Sequence, residues 1–286
     1  MMKSLILVFL LLWSCNAGTG STNEKNVRYP QEIKWKTLLK GLYYAEIDNP
    51  FHSKISDNII SLVKINPACF DMDVYSCTTY DSLPRKVSEW SKQFNLNVVI
   101  NAGMYSLSNG IIAQGFMKSK NTCNNVVFKE GYRALAVFNP MDTLLPLFDI
   151  VDMEQEAYDR ILKQYQTAFQ SIRMIDHKGK QIVWKPKRLI YSSMCVLAVD
   201  DCHQIILVFS RSPLSANQMS ELLLNIPLKV QSAMYLEGGP ECNLYIRTAD
   251  TLILKIGSYV STTFPTDTNS RAWHLPNVIG FKAKSP

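Results

Sequence analysis

Short runs of β-branched and aromatic residues, each closed by Asp, Asn, Gly or Pro, recur along this chain and decide its architecture. GLYYAEID (41–48), NIISLVKI (58–65) and NVVINAGMY (97–105) are three of them. CVLAV and IILVF, joined by the turn residues 200–204, form a hairpin candidate. Runs of this kind predict strands bounded by turns. DMDVYSC (71–77) alternates apolar and polar residues, which would put Asp71 and Asp73 on one face of a strand. Further short runs lie around IIAQGFM and YRALAVFN, and TLILKIG and PNVIGF close the series. The strands do not alternate strictly with helices, so a doubly wound parallel sheet is not expected. The pattern predicts an α+β fold: a single domain over 31–286, built on a mixed, largely antiparallel β-sheet core with about three helices.

Three segments carry helical signals. Ser82-Leu-Pro-Arg85 is expected to open the first helix, with Pro84 in its first turn and Val87, Trp90 and Phe94 forming an apolar stripe. The stretch 153–169, MEQEAYDRILKQYQTAF, places Ala157, Ile161, Tyr165 and Phe169 on one helical face and gives the clearest helical pattern. Ser215 and Gln218 make a capping box for a third helix bearing Met219, Leu222 and Leu223, which Pro227 ends.

The N-terminus sets the expected compartment. Lys3 precedes nine continuous apolar residues, Leu5 to Trp13, and Ser14-Cys15 ends the run. A bilayer span needs about 20 residues, so 1–15 is read as a signal peptide. Leu12 and Ser14 ahead of Cys15 match a bacterial lipoprotein cleavage box, with Cys15 lipidated; a secretory cut nearby, at Ala17 for example, is the alternative. The polar stretch 16–30 is expected to be a flexible tether. The expected location is the bacterial cell envelope, with membrane contact through the lipid. The net charge of +6 is scattered apart from Lys178, Lys180, Lys185, Lys187 and Arg188, which read as a solvated loop or hairpin, with attraction of anionic sugars or phosphates as the alternative. Nucleic acid is therefore not expected as a partner. Cysteines 69, 77, 123, 195, 202 and 242 show no C-x-x-C or Cys/His spacing, so no structural metal site is expected; no cofactor is predicted, and a metal requirement is left open. Some of them are expected to be small buried residues.

Two bends could carry chemistry. In YLEGGPECNLYI (235–246), Gly238 and Gly239 let the backbone turn sharply and approach a ligand closely, between the carboxyls of Glu237 and Glu241. Two acids in unlike surroundings can divide proton donor and acceptor roles. In NAGMY, Asn101 offers a donor and an acceptor, Gly103 gives room, and Tyr105 can stack on a sugar or hydrogen-bond through its hydroxyl. Each bend also has a plain structural reading, a strand turn with solvated side chains. Arg211 and Arg133 are weaker candidates for holding an anion. The four histidines are dispersed, and no G-x-S-x-G, P-loop or dinucleotide motif occurs.

NAGMY, the Gly-bearing strand 113–116, YLEGGPECNLYI and LPNVIGF occur in the order that resembles the phosphodiester glycosidase family, the family of the mannose 6-phosphate uncovering enzyme catalytic domain. The likeness runs from about Gly41 to Phe281. Asn101-Ala102-Gly103 match the family's Asn-Ala/Gly-Gly turn, and Glu237-Gly238-Gly239 match its Asp-Gly-Gly. Glu replaces Asp at 237, Pro240-Glu241 replaces Gly-Ser, and an arginine has no counterpart near 193–195; the chain is closer to an LEGGPE-type bacterial branch. The resemblance implies an exported hydrolase of a glycosidic bond in a sugar-phosphodiester or other acidic glycan. It places Asn101, Gly103, Glu237, Gly238 and Gly239 at the site. Joined to the residues read from the two bends, the expected catalytic set is Glu237, Glu241 and Asn101, with Gly103, Tyr105, Gly238, Gly239, Arg211 and Arg133 around the substrate. Glu237 would serve as nucleophile, base or charge stabiliser, and Glu241 as acid. A non-catalytic glycan- or phosphosugar-binding lipoprotein, or a structural partner in polysaccharide export, are the alternatives.

Overall fold

A computed structural model of the chain describes residues 27–106, 110–120, 122–186 and 188–284. Three antiparallel sheets surround a common apolar interior. The first has seven strands in the order β1 (Lys36–Leu39), β2 (Leu42–Asp48), β3 (Ile59–Ile65), β13 (Ile205–Leu214), β12 (Ser192–Asp200), β14 (Val230–Gly238) and β11 (Arg173–Ile175). The second runs β16 (Leu252–Ile256), β15 (Asn243–Arg247), β5 (Val98–Asn101), β17 (Asn277–Ala283) and β4 (Phe70–Ser76). The third runs β7 (Cys123–Asn125), β6 (Met117–Lys118), β10 (Tyr165–Ser171), β8 (Ala134–Pro140) and β9 (Phe148–Asp152). Every ladder among the described residues is antiparallel, so the mixed sheet expected from the sequence narrows to a purely antiparallel one.

Alternation along the strands sorts side chains to two sides. The inward rows of all three sheets meet in one cluster, with Val63, Ile100, Phe138, Phe169, Leu197, Leu236 and Phe281 among its members. The outward rows are covered separately. α3 (Ala216–Asn225) lays Met219, Leu222 and Leu223 over the seven-stranded sheet. α1 (Val87–Phe94) covers the second sheet with Val87 and Trp90, and Trp90 Nε1 donates to the carbonyl of Leu275 at 3.0 Å. α2 (Tyr158–Leu162) lies beside the third.

The capping box predicted for α3 is formed: the Gln218 amide donates to Ser215 Oγ at 3.2 Å, and the Ser215 amide to Gln218 Oε1 at 3.0 Å. α1 starts at Val87 rather than near Ser82. Ser82 has φ +62°, which no helix admits, and Arg85 forms a bridge to Leu275 and an ion pair with Asp81. The long helix over 153–169 is not formed. It stops at Leu162, and Tyr165–Ser171 becomes a strand hydrogen-bonded to both β6 and β8. Tyr165, Thr167 and Phe169 fit a pleated surface well, and two neighbouring edges override local helical propensity.

The signal peptide, Cys15 and most of the 16–30 stretch lie outside the described residues. The last of that stretch does pack: Tyr29 sits edge-on to Phe51 at 6.3 Å and its hydroxyl donates to Glu221. Among the described residues no helix is long and apolar enough to cross a membrane. All six described cysteines are free thiols, and Cys77, Cys195 and Cys242 are buried.

Candidate functional site

The Gly-Gly-Pro bend is the crossing between two sheets. β14 belongs to the first sheet, and the next strand, β15, belongs to the second. Gly239-Pro240-Glu241 makes the corner as one 3-10 turn, closed by the Cys242 amide on the Gly239 carbonyl at 3.1 Å. Gly239 has φ +71°, and a Cβ there would come within 2.4 Å of Val260 Cγ2. A Cβ on Gly238 would lie 2.4 Å from the Tyr235 hydroxyl. The glycines are therefore required by packing as well as by the turn.

A register shift sets the direction of Glu237. Val196 pairs with Tyr235, but Cys195 pairs with Glu237, so Leu236 is an extra residue in β14. Such a bulge re-aims the side chains that follow it. Tyr235 packs in the outer cluster and Leu236 in the central one. Glu237, opposite the centrally buried Cys195, is turned to the interior side at the sheet end.

The environment of Glu237 is hostile to charge. Its carboxyl is only partly solvent-exposed, and burial pushes its pKa from the usual 4.5 up to about 8, with a smaller rise from Glu241 and an opposing pull from the Gly238 amide. That amide donates to Glu237 Oε1 at 3.0 Å. Burial also raises Glu241, but here the hydroxyl of Tyr105 hydrogen-bonds the carboxyl and opposes the rise. Tyr105 is itself held neutral by burial and by the charges of Glu241 and Glu237. The two bends, far apart in sequence, are thus in direct contact.

Asn101 ends β5 and is 2% exposed. Neither of its amide atoms has a partner. One step along the register that pairs Leu244 with Ile100, Asn243 stands opposite it. Asn243 Nδ2 holds the acidic turn by donating to the carbonyls of Pro240 at 3.1 Å and Glu241 at 3.0 Å, while its Oδ1 is unpartnered. Unpaired buried amides are costly, and an unpaired group in a native fold calls for a reason. Gly103 has φ +71° and turns the chain after β5, so that Tyr105 can bridge to Ala113 and start the short loop back.

Arg211 and Arg133 are occupied elsewhere. Arg211 donates to the carbonyls of Ile256, Asp267 and Asn269 and pairs with the Asp267 carboxylate at 2.8 Å. Arg133 pairs with Glu154 at 3.1 Å, in a cluster with Arg173 and Asp152. Arg211 lies within β13 and Arg133 just before β8, and each guanidinium is held by internal partners.

Three residues around the acids escaped the sequence reading. Tyr132 feels the charge of Glu237, and its hydroxyl donates to Gln114 Oε1 at 3.1 Å. Tyr235 and Ser192, hydrogen-bonded to each other, back onto Gly238. On that outer side of β14 lies a largely apolar cavity of about 220 Å³, with Met104, Trp184, Leu189, Ser192, Met194 and Tyr235 in its wall. No local motif marks these positions. Asp200, Asp201 and Cys202 cluster in the β12–β13 turn, where Asp200 caps the amides of Cys202 and Gln204 at 2.9 and 2.8 Å.

The fold defined by these sheets recurs in solved structures. A hypothetical protein from Synechocystis superposes with a TM-score of 0.60 at 12% identity, over 89% of this chain and 64% of its own length. The catalytic domain of zebrafish N-acetylglucosamine-1-phosphodiester alpha-N-acetylglucosaminidase superposes with a TM-score of 0.59 at 12% identity, over 88% of each chain. The chain therefore shares a fold, at a distance, with a phosphodiester glycosidase catalytic domain. No family model and no curated protein matches the sequence.

Proposed function

We propose that this chain is a glycoside hydrolase acting on a sugar-phosphodiester or another acidic glycan, at the envelope location its N-terminus suggests. The observation that carries the reading is the pairing of two carboxyls in unlike surroundings at one end of the fold. Glu237, raised to about 8, keeps its proton at neutral pH. Burial raises Glu241 too, but by less than Glu237, and the hydrogen bond it accepts from Tyr105 opposes that rise. That contrast reverses the roles suggested by the sequence. Glu237 is the proton donor to the leaving oxygen, and Glu241 is the base or the charge that steadies an oxocarbenium-like centre. The unpartnered, buried amide of Asn101, opposite the Asn243 that holds the acidic turn, is the group assigned to meet a sugar hydroxyl or a phosphate oxygen. With Arg211 and Arg133 engaged in internal pairs, anion binding falls to such neutral donors.

The test is turnover of sugar-1-phosphodiesters by purified wild type, Glu237→Gln and Glu241→Gln. Loss of about 100-fold or more in kcat in each variant is expected for a general acid or base. Unchanged turnover in Glu237→Gln removes that residue from the chemistry. Binding without any product from wild type would instead favour a glycan-binding module.

A further inference from the structure

Two of the buried thiols are not used by the proposed chemistry. Cys195 lies on β12 of the first sheet, directly opposite Glu237. Cys242 follows Glu241 and leads into β15 of the second sheet. Both are fully buried in the same central cluster. Their thiols hydrogen-bond to each other, so they are in contact across the seam between the sheets. The backbone there is already close, with the 239–241 turn packed against β12. The other cysteines are not so placed. Cys77 is in a different cluster beneath α1, Cys69 is half-buried, and Cys123 and Cys202 are exposed.

We propose that Cys195 and Cys242 are a disulfide-forming site that staples β12 to the Glu241 turn under the two acids. A strand residue and a turn residue whose thiols meet in one buried cluster are the starting arrangement a disulfide needs. The oxidant is a small-molecule disulfide such as glutathione disulfide. One thiolate attacks it, forming a mixed disulfide and releasing a thiol. The second thiolate displaces the other glutathione, so one S–S bond is broken, one is formed, and two glutathione thiols carry away the protons and electrons. Burial holds the Cys242 thiol protonated in the folded chain, so exchange takes place before β15 docks. Once formed, the bond lies beyond the reach of solvent reductants.

The test uses the full chain, unfolded and reduced, then refolded in a reduced/oxidised glutathione buffer and quenched with an alkylating agent under denaturing conditions. Expected are one linked peptide pair containing Cys195 and Cys242, four alkylated cysteines besides Cys15, and loss of the link in Cys195→Ala. Closing a loop of this length should raise Tm by roughly 8–16 °C over the same protein refolded in reductant. Complete alkylation of both thiols in wild type, or a link joining either to a different cysteine, overturns the proposal without reference to any variant. Neither result bears on hydrolysis, so the two readings fail independently.

Discussion

Replacing Glu237 by Gln should free the fold from a pH penalty. The carboxyl titrates at about 8 in the folded chain and near the usual 4.5 when exposed. Between those values the folded state holds a proton that the unfolded state has lost, so wild-type stability falls as pH rises from about 4.5 through about 8. Each tenfold difference in proton affinity is worth about 1.4 kcal/mol, which sets a ceiling of about 5 kcal/mol for the full interval. The side chain is partly exposed, and water will screen part of that; roughly 2–3 kcal/mol is the working figure. In a domain of this size it corresponds to a Tm difference of roughly 4–12 °C. Thermal melts of wild type and Glu237→Gln in matched buffers from pH 4 to 9 measure it directly. The two proteins should differ by a constant at pH 4, and the variant should gain on wild type as pH rises, levelling above pH 8. A Tm difference that stays flat across the range would mean that Glu237 is solvated, and its assignment as proton donor would fall with it.

Asn243→Ala should lose about 2–3 kcal/mol in urea unfolding, because two hydrogen bonds to the Pro240 and Glu241 carbonyls vanish inside the core. Gly239→Ala should cost about 2 kcal/mol or more from its positive φ and the Val260 contact, and Val260→Ala should return part of that loss in a double-mutant cycle. Arg211→Met should lower Tm by several degrees through its three carbonyl partners and Asp267, while leaving KM for a phosphodiester unchanged; a raised KM at equal folded fraction would return Arg211 to the site.

The parts that could be read from sequence were those with a local cause. The capping box at Ser215, the turn at 200–204 and the strands carrying Asn101 and Glu237 follow from neighbouring residues. The two glycine bends were legible as bends, since few residue types suit them. That they meet through Tyr105 and Glu241 was not, because the contact depends on how three sheets close around one core. The inward turn of Glu237 depends on one extra residue in β14, and alternation alone would have aimed it outward with Tyr235. The 153–169 segment failed for the same kind of reason, since edges supplied by β6 and β8 outweigh an apolar periodicity. Arg133 and Arg211 show the reverse case, in which a suggestive position in the chain is explained once the partners are seen.

Because the acid-bearing corner is also the stitch joining two sheets, it cannot lengthen or drift as a surface loop can. An inserted residue between Glu237 and Glu241 would shift β15 against β5 and turn its alternating faces inside out. Any change at this corner must therefore be made by side chains packed against it, such as Tyr105 and Tyr235, and not by its length.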